Sequence, residues 1–384
     1  LSVPKNNWKI FQELMDKRGV EATVIGKFNS SGKCVVRHMS KKIMDIDMGF
    51  LHDGRPPQQL FTAPAFHNHP EPALLNKNSY TEELETLLGS KNIAGFSFVS
   101  EQYDHEVQAS SVLKPLSGRG RVNTDAQVFR PILSSTKAAI ITSSCYPSYG
   151  DINTYNMAAC AVDTAVRNAV AAGGTMSHLA ILDNFCWCSS GDPVRLGQLL
   201  NAVRACYDYA VSYGTPFISG KDSMFNDFNG YDENGNPVAM SIPPTLLISA
   251  IGVMPDLYKT ISPEFKKAGN LIYVLGETND ELGGGEFYKM RGYVGNTVPK
   301  ANATKNIKVY KAVEKIIQKE LVASSLSISS GGLAIALAKV SVGGMLGCDV
   351  SLKNLPGDAN SSEVKMFSES QGRILVSVSP KNVS

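Results

Sequence analysis

The sequence predicts an α/β (α+β) protein with at least two lobes, and three observations support this fold class. Residues 179–219 read as a short apolar strand, a long amphipathic helix and a second apolar strand. Continuous apolar segments of strand length recur at 138–142, 245–254 and 271–275. These segments run into turns rich in glycine or proline, a pattern typical of α/β proteins. A chain of 384 residues also has room for two or three domains with full cores.

The composition is that of an ordinary soluble globular protein, with 43% hydrophobic and 19% charged residues. A net charge of +2 without any basic run gives no case for a nucleic-acid partner. No apolar stretch has membrane-spanning length and no signal-peptide pattern opens the chain, so we expect no membrane partner. Seven cysteines without a framework spacing fit a reducing compartment better than a disulfide scaffold. We therefore expect a cytoplasmic protein.

The first 51 residues resemble the end of a domain more than its start. We predict an amphipathic helix over residues 7–18, followed by strands at 22–25, 34–37 and 43–48. The opening string Leu-Ser-Val-Pro-Lys-Asn is echoed near the other end by Val-Ser-Val-Ser-Pro-Lys-Asn. Such an echo suggests that the intact protein has tandem halves and that this chain spans one period.

Two groups of metal-ligating side chains are present, and both patterns are weak. His67, His69 and Glu71 lie in a segment rich in proline and asparagine that we interpret as a linker. They could bind a metal or be plain solvated side chains. Cys186 and Cys188 form a lone C-x-C without a second pair, so a zinc site and ordinary loop thiols both stay open.

The stretch from 179 to 219 has clear helix signals between its two strands. Asp192 is a good N-cap, Pro193 a good first helical residue, and Gly214 stands where a helix stop belongs. Two short strands joined by such a helix form a βαβ crossover, which brings both strand ends to the same edge of a sheet.

That shared edge gathers polar residues beside a flexible glycine. Asp183 follows the first strand, in what we read as a polar loop over 183–187. Gly220, Lys221, Asp222 and Ser223 follow the second strand. Carboxylates, a cation, a hydroxyl and exposed backbone amides in one place suit a phosphate and its metal.

A second helix is predicted over 155–172, closed by two glycines. Thr164 and Asn168 are four residues apart and therefore share one edge of this helix. Taken alone, the pair reads as a solvated side. A last lobe begins with the strand at 271–275, followed by a glycine-rich turn that is a weak phosphate signal, a helix over 309–321 and a further helix from Leu333.

Several strings together resemble one family. They lie in order along essentially the whole chain, at 102–108, 124–126, 182–187, 217–223, 241–245 and 280–284. The chain resembles formylglycinamide ribonucleotide amidotransferase, also called phosphoribosylformylglycinamidine synthase. That family's synthetase has two repeated halves, each with an N-terminal and a C-terminal lobe of the aminoimidazole ribonucleotide synthetase type. The resemblance implies the tail of a preceding C-terminal lobe at 1–51, a linker at 52–81, an N-terminal lobe at 82–256 and a truncated C-terminal lobe at 257–384.

The resemblance also implies a reaction. The family uses ATP and Mg²⁺ to activate the amide of formylglycinamide ribonucleotide, and glutamine-derived ammonia then displaces phosphate. No Cys-His-Glu arrangement of a glutaminase is evident, so ammonia would come from a glutaminase domain or subunit. The first half of the synthetase would be the other partner, and this chain alone would be inactive.

The site residues follow from matching positions in the family. The resemblance implies nucleotide binding by Asp183, Gly220, Lys221 and Ser329, although some members have a metal-binding Asn at the position of Lys221. It implies substrate contact by Ser223. It implies metal ligation by Asp125 and Asn168. The string Glu369-Ser370-Gln371 resembles one that contacts substrate in the family's first half, and here it either binds substrate or is structural.

Three departures from the family bear on the nucleotide site of this half. Members commonly carry Glu at the position of Thr164, His-Asp at Leu326-Ser327, and Asp at Ser330. Each missing carboxylate would have offset the desolvation of a cation. We therefore expect this half to bind Mg-nucleotide weakly or not at all.

Two other interpretations stay open. The chain could be another enzyme of the same superfold, such as aminoimidazole ribonucleotide synthetase, selenophosphate synthetase or thiamine phosphate kinase, although the strings at 182–187 and 217–223 argue against this. It could also be a degenerate, non-catalytic partner module. Lobes of this type usually pair sheet to sheet, so an isolated half should expose an apolar face and form a dimer.

Overall fold

The computed structural model describes residues 1–102 and 106–383. The chain divides into two compact units, Leu1–Gln59 and Leu60–Ser384. The division falls within the segment that the sequence interprets as a linker, and the later part of that segment groups with the second unit.

The first unit is a helix, a hairpin and a short second helix. Its elements are α1 (Trp8–Lys17), β1 (Lys33–His38), β2 (Lys41–Asp47) and α2 (Met48–Asp53). The hairpin is antiparallel, with Lys33 opposite Asp47. The strand expected at 22–25 was wrong, since these residues are irregular. Val24 and Ile25 stay exposed, so neither burial nor a neighbouring strand favours the extended pairing that a strand needs.

The second unit contains most of the strands and helices. Its strands are β3 (Ser111–Leu113), β4 (Leu116–Ser117), β5 (Val122–Asn123), β6 (Ala126–Phe129), β7 (Ala138–Cys145), β8 (Leu179–Cys186), β9 (Phe217–Ser223), β10 (Phe228–Tyr231), β11 (Pro237–Met240), β12 (Thr245–Met254), β13 (Leu271–Leu275), β14 (Val322–Ser327) and β15 (Ile374–Val378). Its helices are α3 (Thr81–Leu88), α4 (Ser97–Ser100), α5 (Pro147–Gly150), α6 (Thr154–Ala171), α7 (Pro193–Tyr213), α8 (Glu286–Met290), α9 (Ala303–Gln318), α10 (Gly332–Gly344) and α11 (Ser362–Phe367).

The larger sheet has six strands in the order β3-β6-β7-β12-β8-β9. Strands β8 and β9 run parallel, as expected of a βαβ crossover through α7. The other described strand pairs in this sheet are antiparallel. The term α+β therefore describes this sheet better than α/β. The α/β (α+β) class itself is confirmed.

Strand β8 is longer than the sequence suggests. The polar segment 183–187, predicted as a loop, mostly continues the strand, because β12 and β9 pair with it up to Cys186. Gly220 and Lys221 likewise lie inside β9 and not after it. Backbone hydrogen bonds to the strands on both sides therefore keep these residues in the β conformation, although their polar side chains predicted a loop.

Helix α6 is the central element of the second unit. It packs against β7 and β12 of the large sheet on one side, and against α9 and β14 of the last lobe on another. Sixteen of its residues are buried, so it is buried nearly all round. Asn153 caps it, accepting a hydrogen bond from the Asn156 amide at 2.9 Å.

The last lobe is a three-stranded antiparallel sheet in the order β13-β15-β14. Helix α9 begins six residues before the predicted start, because Asn302 caps it by accepting a hydrogen bond from the Lys305 amide at 3.1 Å. Helix α10 follows β14 after a tight turn in which Gly331 and Gly332 have positive φ angles of 76° and 70°. None of the helices in the described part of the chain combines the length and apolarity needed to cross a bilayer.

Candidate functional site

The polar residues predicted to gather at one sheet edge do lie together, on β8 and the edge strand β9. We call Asp183, Gly220, Lys221, Asp222 and Ser223 the strand rim. Asp183 is directly opposite Gly220 in the parallel register, and its Oδ1 accepts a hydrogen bond from the Lys221 amide at 3.2 Å. The ammonium of Lys221 donates to the hydroxyl of Ser223. The residues do lie on two neighbouring strands, within them and not beyond them. Because side chains alternate along a strand, Lys221 and Ser223 project from the opposite face of the sheet to Asp183 and Asp222.

Gly220 is required for this arrangement. A Cβ atom at this position would collide with the carboxylate of Asp183. The absence of a side chain therefore lets the carboxylate lie directly over the neighbouring strand, within reach of its backbone amides.

Two carboxylates, those of Asp183 and Asp222, lie on one face of the strand rim. Partial burial of Asp183 raises the pKa of its carboxyl group, and the nearby carboxylate of Asp222 raises that pKa further, while the Lys221 amide opposes the shift. A bound cation would relieve this repulsion, and the exposed amides of β9 could contact a phosphate.

A second candidate region is a cavity of about 430 Å³ beside helix α10, which we call the interlobe cleft. Its walls come from the end of α3 with the following loop, from residues 120–125, and from β14 with α10. Asp125, Ser329 and Ser330 line it, so three positions that the sequence linked to nucleotide or metal do meet here.

Asn168 lies in a small adjoining cavity that also includes Asp125 and Ser327. Thr164 and Asn168 are only 2% and 6% exposed, so the solvated edge that the residues alone suggested was wrong. The side-chain oxygen of Asn168 finds no hydrogen-bond partner among the described residues, and the contact of its amide nitrogen with the Ser143 carbonyl is long, at 3.5 Å.

The residues around Asp125 do not fit a magnesium ion. Oδ1 of Asp125 is already paired with the ammonium of Lys339 at 2.7 Å. Within residues 1–102 and 106–383, no group of three or more His, Cys, Asp or Glu side chains could hold a metal. The same finding covers His67, His69 and Glu71, and Cys186 with Cys188. Magnesium prefers several oxygen ligands with carboxylate charge, which these positions lack.

A fully buried arginine occupies the region where the family's carboxylates are missing. The guanidinium of Arg167 donates to Ser327 Oγ at 2.8 Å, to Thr164 Oγ1 at 2.9 Å and to Gln371 Oε1 at 2.9 Å. It also forms an ion pair with Asp163, one helical turn earlier and equally buried. We call Asp163, Thr164, Arg167 and Gln371 the interlobe cluster, since they join α6 to the last lobe.

Asp163 also accepts hydrogen bonds from two other helices, α9 and α7. Its Oδ1 accepts from the Tyr310 hydroxyl and the Asn306 side-chain amide, both at 2.7 Å, and from the Tyr213 hydroxyl. Neither Asp163 nor Arg167 was predicted as a functional or structural polar residue. Their spacing of four residues inside a mostly apolar helix is the signal that could have revealed a buried ion pair.

The string Glu369-Ser370-Gln371 is buried, with exposures of 2%, 0% and 6%. Oε1 of Glu369 accepts from the Gly331 amide at 2.7 Å and from the Glu286 amide at 2.9 Å, and Oε2 accepts from the Tyr149 hydroxyl. Burial raises the pKa of this carboxyl group. Because these side chains are already bonded within the protein, the geometry favours the structural role that the sequence left open.

One string of the resemblance cannot be placed. Tyr103, Asp104 and His105, at the centre of 102–108, lie outside the described residues.

Two sequence profiles of one family match the second unit. The profile described as AIR synthase related protein, N-terminal domain, matches residues 123–254, and the corresponding C-terminal domain matches 267–384. Together they cover well over half of the chain. The chain belongs to the family of AIR synthase related proteins. The predicted boundary between the lobes at 256/257 lies in the interval between the two matched ranges.

Curated relatives specify the kind of family member that this chain is similar to. The chain is 31% identical over 379 residues to the phosphoribosylformylglycinamidine synthase subunit PurL of Thermoplasma volcanium, covering 96% of this chain and 47% of the relative. It is 29% identical over 389 residues to the PurL subunit of Thermococcus sibiricus, covering 100% and 50%. The resemblance read from the sequence is thereby confirmed. The chain spans about half the length of the curated relatives it matches.

A solved structure agrees in fold. Thermotoga maritima PurL complexed with ATP superposes with a TM-score of 0.58 at 18% identity, covering 98% of this chain and 51% of that one. The fold of that PurL is therefore shared along nearly the whole chain.

Proposed function

We propose that this chain acts as one half of the synthetase of a phosphoribosylformylglycinamidine synthase. The reaction is the ATP-dependent conversion of formylglycinamide ribonucleotide to formylglycinamidine ribonucleotide with glutamine-derived ammonia, in the cytoplasm. The observation that carries the proposal is the match, along 96% and 100% of this chain, to PurL subunits of which it spans about half.

The strand rim supplies the residues that we assign to this reaction. Asp183 would orient the nucleotide, with Gly220 allowing the close approach. Lys221 and Ser223 lie together on the other face of β9, so the nucleotide contact of Lys221 and the substrate contact of Ser223 would be made from that face. Asp183 and Asp222 are the two carboxylates of the rim that would contact a magnesium ion, which would neutralise the phosphates of the nucleotide when bound.

We propose three partners. A Thermotoga maritima PurL has been solved complexed with FGAR, which makes formylglycinamide ribonucleotide the proposed substrate. The relatives are named as subunits, and we infer a glutaminase domain or subunit as the ammonia source. The missing half of the synthetase would be the third partner.

The exposed face of the large sheet is where we place the contact with another half. Ile141, Ile251 and Val253 project from this face and are 37%, 37% and 50% exposed. An apolar sheet face of this kind favours association. The isolated chain should therefore sediment as a dimer and Ile251→Lys as a monomer; a monodisperse wild-type monomer would contradict this.

Reconstitution tests the ligase function. The chain is mixed with a first-half protein, and phosphate release is measured with ATP, formylglycinamide ribonucleotide and ammonium. We expect release that requires both halves and the ribonucleotide, and its loss in Asp183→Asn. Asp349→Asn, which changes an exposed loop carboxylate, is the matched control and should leave turnover unchanged.

A non-catalytic partner module is the second candidate. It is favoured by the interlobe cleft, where the only carboxylate lining the described walls is already paired. Reconstituted phosphate release that survives Asp183→Asn would support this module and contradict a catalytic strand rim. Release that depends on formylglycinamidine ribonucleotide instead would indicate an aminoimidazole ribonucleotide synthetase-type enzyme.

A further inference from the structure

The interlobe cleft has an unusual charge balance for a family whose reaction uses a metal-bound nucleotide. Among the described residues that line it, the charged side chains are Arg121, Asp125 and Lys339. Arg121 is paired with Glu101, which does not line the cleft, and Lys339 is paired with Asp125. A divalent cation entering this cleft would therefore find few charged oxygens among the described residues to replace its water.

Lys339 is placed to act as the counter-ion of Asp125. It lies on α10, and its ammonium is 2.7 Å from Asp125 Oδ1. The two side chains are 23% and 25% exposed, so water screens the pair only partly. They are 214 residues apart in sequence, and the pair joins the two matched lobes.

Some of the other groups that a metal-bound phosphate would use are occupied as well. The Gly331 amide, in the turn that opens α10, is bonded to the carboxylate of Glu369, and the Gly332 amide is bonded to the Ser329 carbonyl at 3.0 Å. On the far side of the adjoining cavity, Ser327 accepts a hydrogen bond from Arg167. Protein groups thus bond two amides of the turn, and protein cations contact the oxygens of Asp125 and Ser327.

We propose that the ammonium of Lys339 is the resident cation of the interlobe cleft, which makes Asp125 half of an internal ion pair and not a ligand of a divalent metal. This inference goes beyond the proposed function and does not depend on it. Lys339 would then hold the two lobes together without metal, and the unpartnered oxygen of Asn168 is left as an unused ligand.

Charge reversal at position 339 gives the sharpest test. Lys339→Glu puts a second carboxylate beside Asp125 and leaves Asn168 as a neutral oxygen ligand nearby. Without metal the two carboxylates repel, and the unfolding midpoint should fall by roughly 2–4 °C. Added Mn²⁺ should restore that midpoint and should give a saturable, paramagnetic relaxation signal, because the variant now has a site of two carboxylates.

The remaining variants isolate the role of the ammonium. We expect the wild type to have no Mn²⁺ site that depends on Asp125. Asp125→Asn should therefore leave the Mn²⁺ signal of the wild type unchanged. Lys339→Met should also lose stability, and added Mn²⁺ should not restore it. This result would show that loss of the ion pair alone does not create a tight metal site. Lys305→Glu is the matched control, since Lys305 also pairs with a carboxylate at 2.8 Å but is 62% exposed; it should change neither property.

Two outcomes would overturn the proposal. One is Mn²⁺ binding by the wild type that Asp125→Asn abolishes. The other is a Lys339→Glu variant that folds but gains neither Mn²⁺ binding nor metal-dependent stabilisation, since position 339 would then not be a cation position.

Discussion

The interlobe cluster and the strand rim both combine acidic, basic and neutral polar side chains, and they have opposite surroundings. In the cluster, Arg167 and Asp163 are both completely buried, and the Arg167 guanidinium donates to three side-chain oxygens besides its ion pair. In the rim, Lys221 and Asp222 are exposed on an edge strand, and the Asp183 carboxylate accepts one backbone hydrogen bond.

This difference separates polar residues that hold the fold from polar residues that are available to a ligand. A buried charge is tolerated only when its hydrogen bonds are satisfied, so the cluster has no capacity left for a ligand. The rim keeps unused oxygens and amides in contact with solvent. We therefore propose a ligand-binding role only for motif residues whose groups the structure leaves free.

The largest effect is expected from breaking the interlobe cluster. Arg167→Met keeps the side-chain length but leaves Asp163, Thr164 and Gln371 without their shared donor. Removing one partner of a buried ion pair typically costs about 3–5 kcal/mol. We expect the urea midpoint to fall accordingly, with circular dichroism as the measurement.

An exposed ion pair gives the control for this prediction. Lys305→Met breaks a pair whose side chains are 62% and 47% exposed. Such pairs contribute about 0–1 kcal/mol. Equal losses in the two variants would mean that the cluster is not the structural joint we describe.

A loss of similar size is expected at Glu369. Glu369→Leu removes the acceptor of the Gly331 and Glu286 amides and of the Tyr149 hydroxyl. Each buried donor left unpaired costs about 1–3 kcal/mol. The free energy of unfolding should fall by at least that amount, while Glu369→Gln, which keeps an acceptor oxygen, should stay close to wild type at pH 5. A Leu variant as stable as the Gln variant would contradict this role.

The strand rim should respond in ligand affinity and not in stability. Gly220→Ala places a methyl group against the Asp183 carboxylate and displaces it. We expect the dissociation constant of ATP in the reconstituted enzyme to rise about tenfold, or about 1.4 kcal/mol, by calorimetric titration. Gly347→Ala is the control, since a Cβ there meets no atom within 4 Å. Unchanged affinity in Gly220→Ala would remove Asp183 from the proposed nucleotide site.

Local sequence signals predicted much of this architecture. Asp192, Pro193 and Gly214 mark the ends of α7, and the apolar run 245–254 coincides with β12. These features depend on residues close in sequence, through caps and periodicity. The extension of β8 through Asp183 could not be read in this way, because it depends on pairing with strands far along the chain.

The long-range side-chain contacts at the candidate site could not be predicted from the sequence either. Lys339 lies on a helix 214 residues after Asp125, and nothing local to either residue indicates their contact. The burial of Thr164 and Asn168 likewise depends on the last lobe packing over α6. The sequence thus placed the rim residues on the two strands of one crossover, and could not indicate the ion pair between the lobes.

The smallest expected effect is a change of pH dependence at Glu369. Burial raises the pKa of this carboxyl group above its ordinary value of 4.5, so the folded protein holds this proton over a range where the unfolded chain has released it. The associated stability is complete below the unfolded pKa and is lost as pH rises through the folded one, with a slope of at most about 1.4 kcal/mol per pH unit. Glu369→Gln lacks this titration, so its stability relative to wild type should increase from pH 5 upward in urea unfolding. Glu233→Gln, an exposed change, should follow the wild-type curve; parallel curves for wild type and Glu369→Gln would show that the buried carboxyl does not titrate differently on folding.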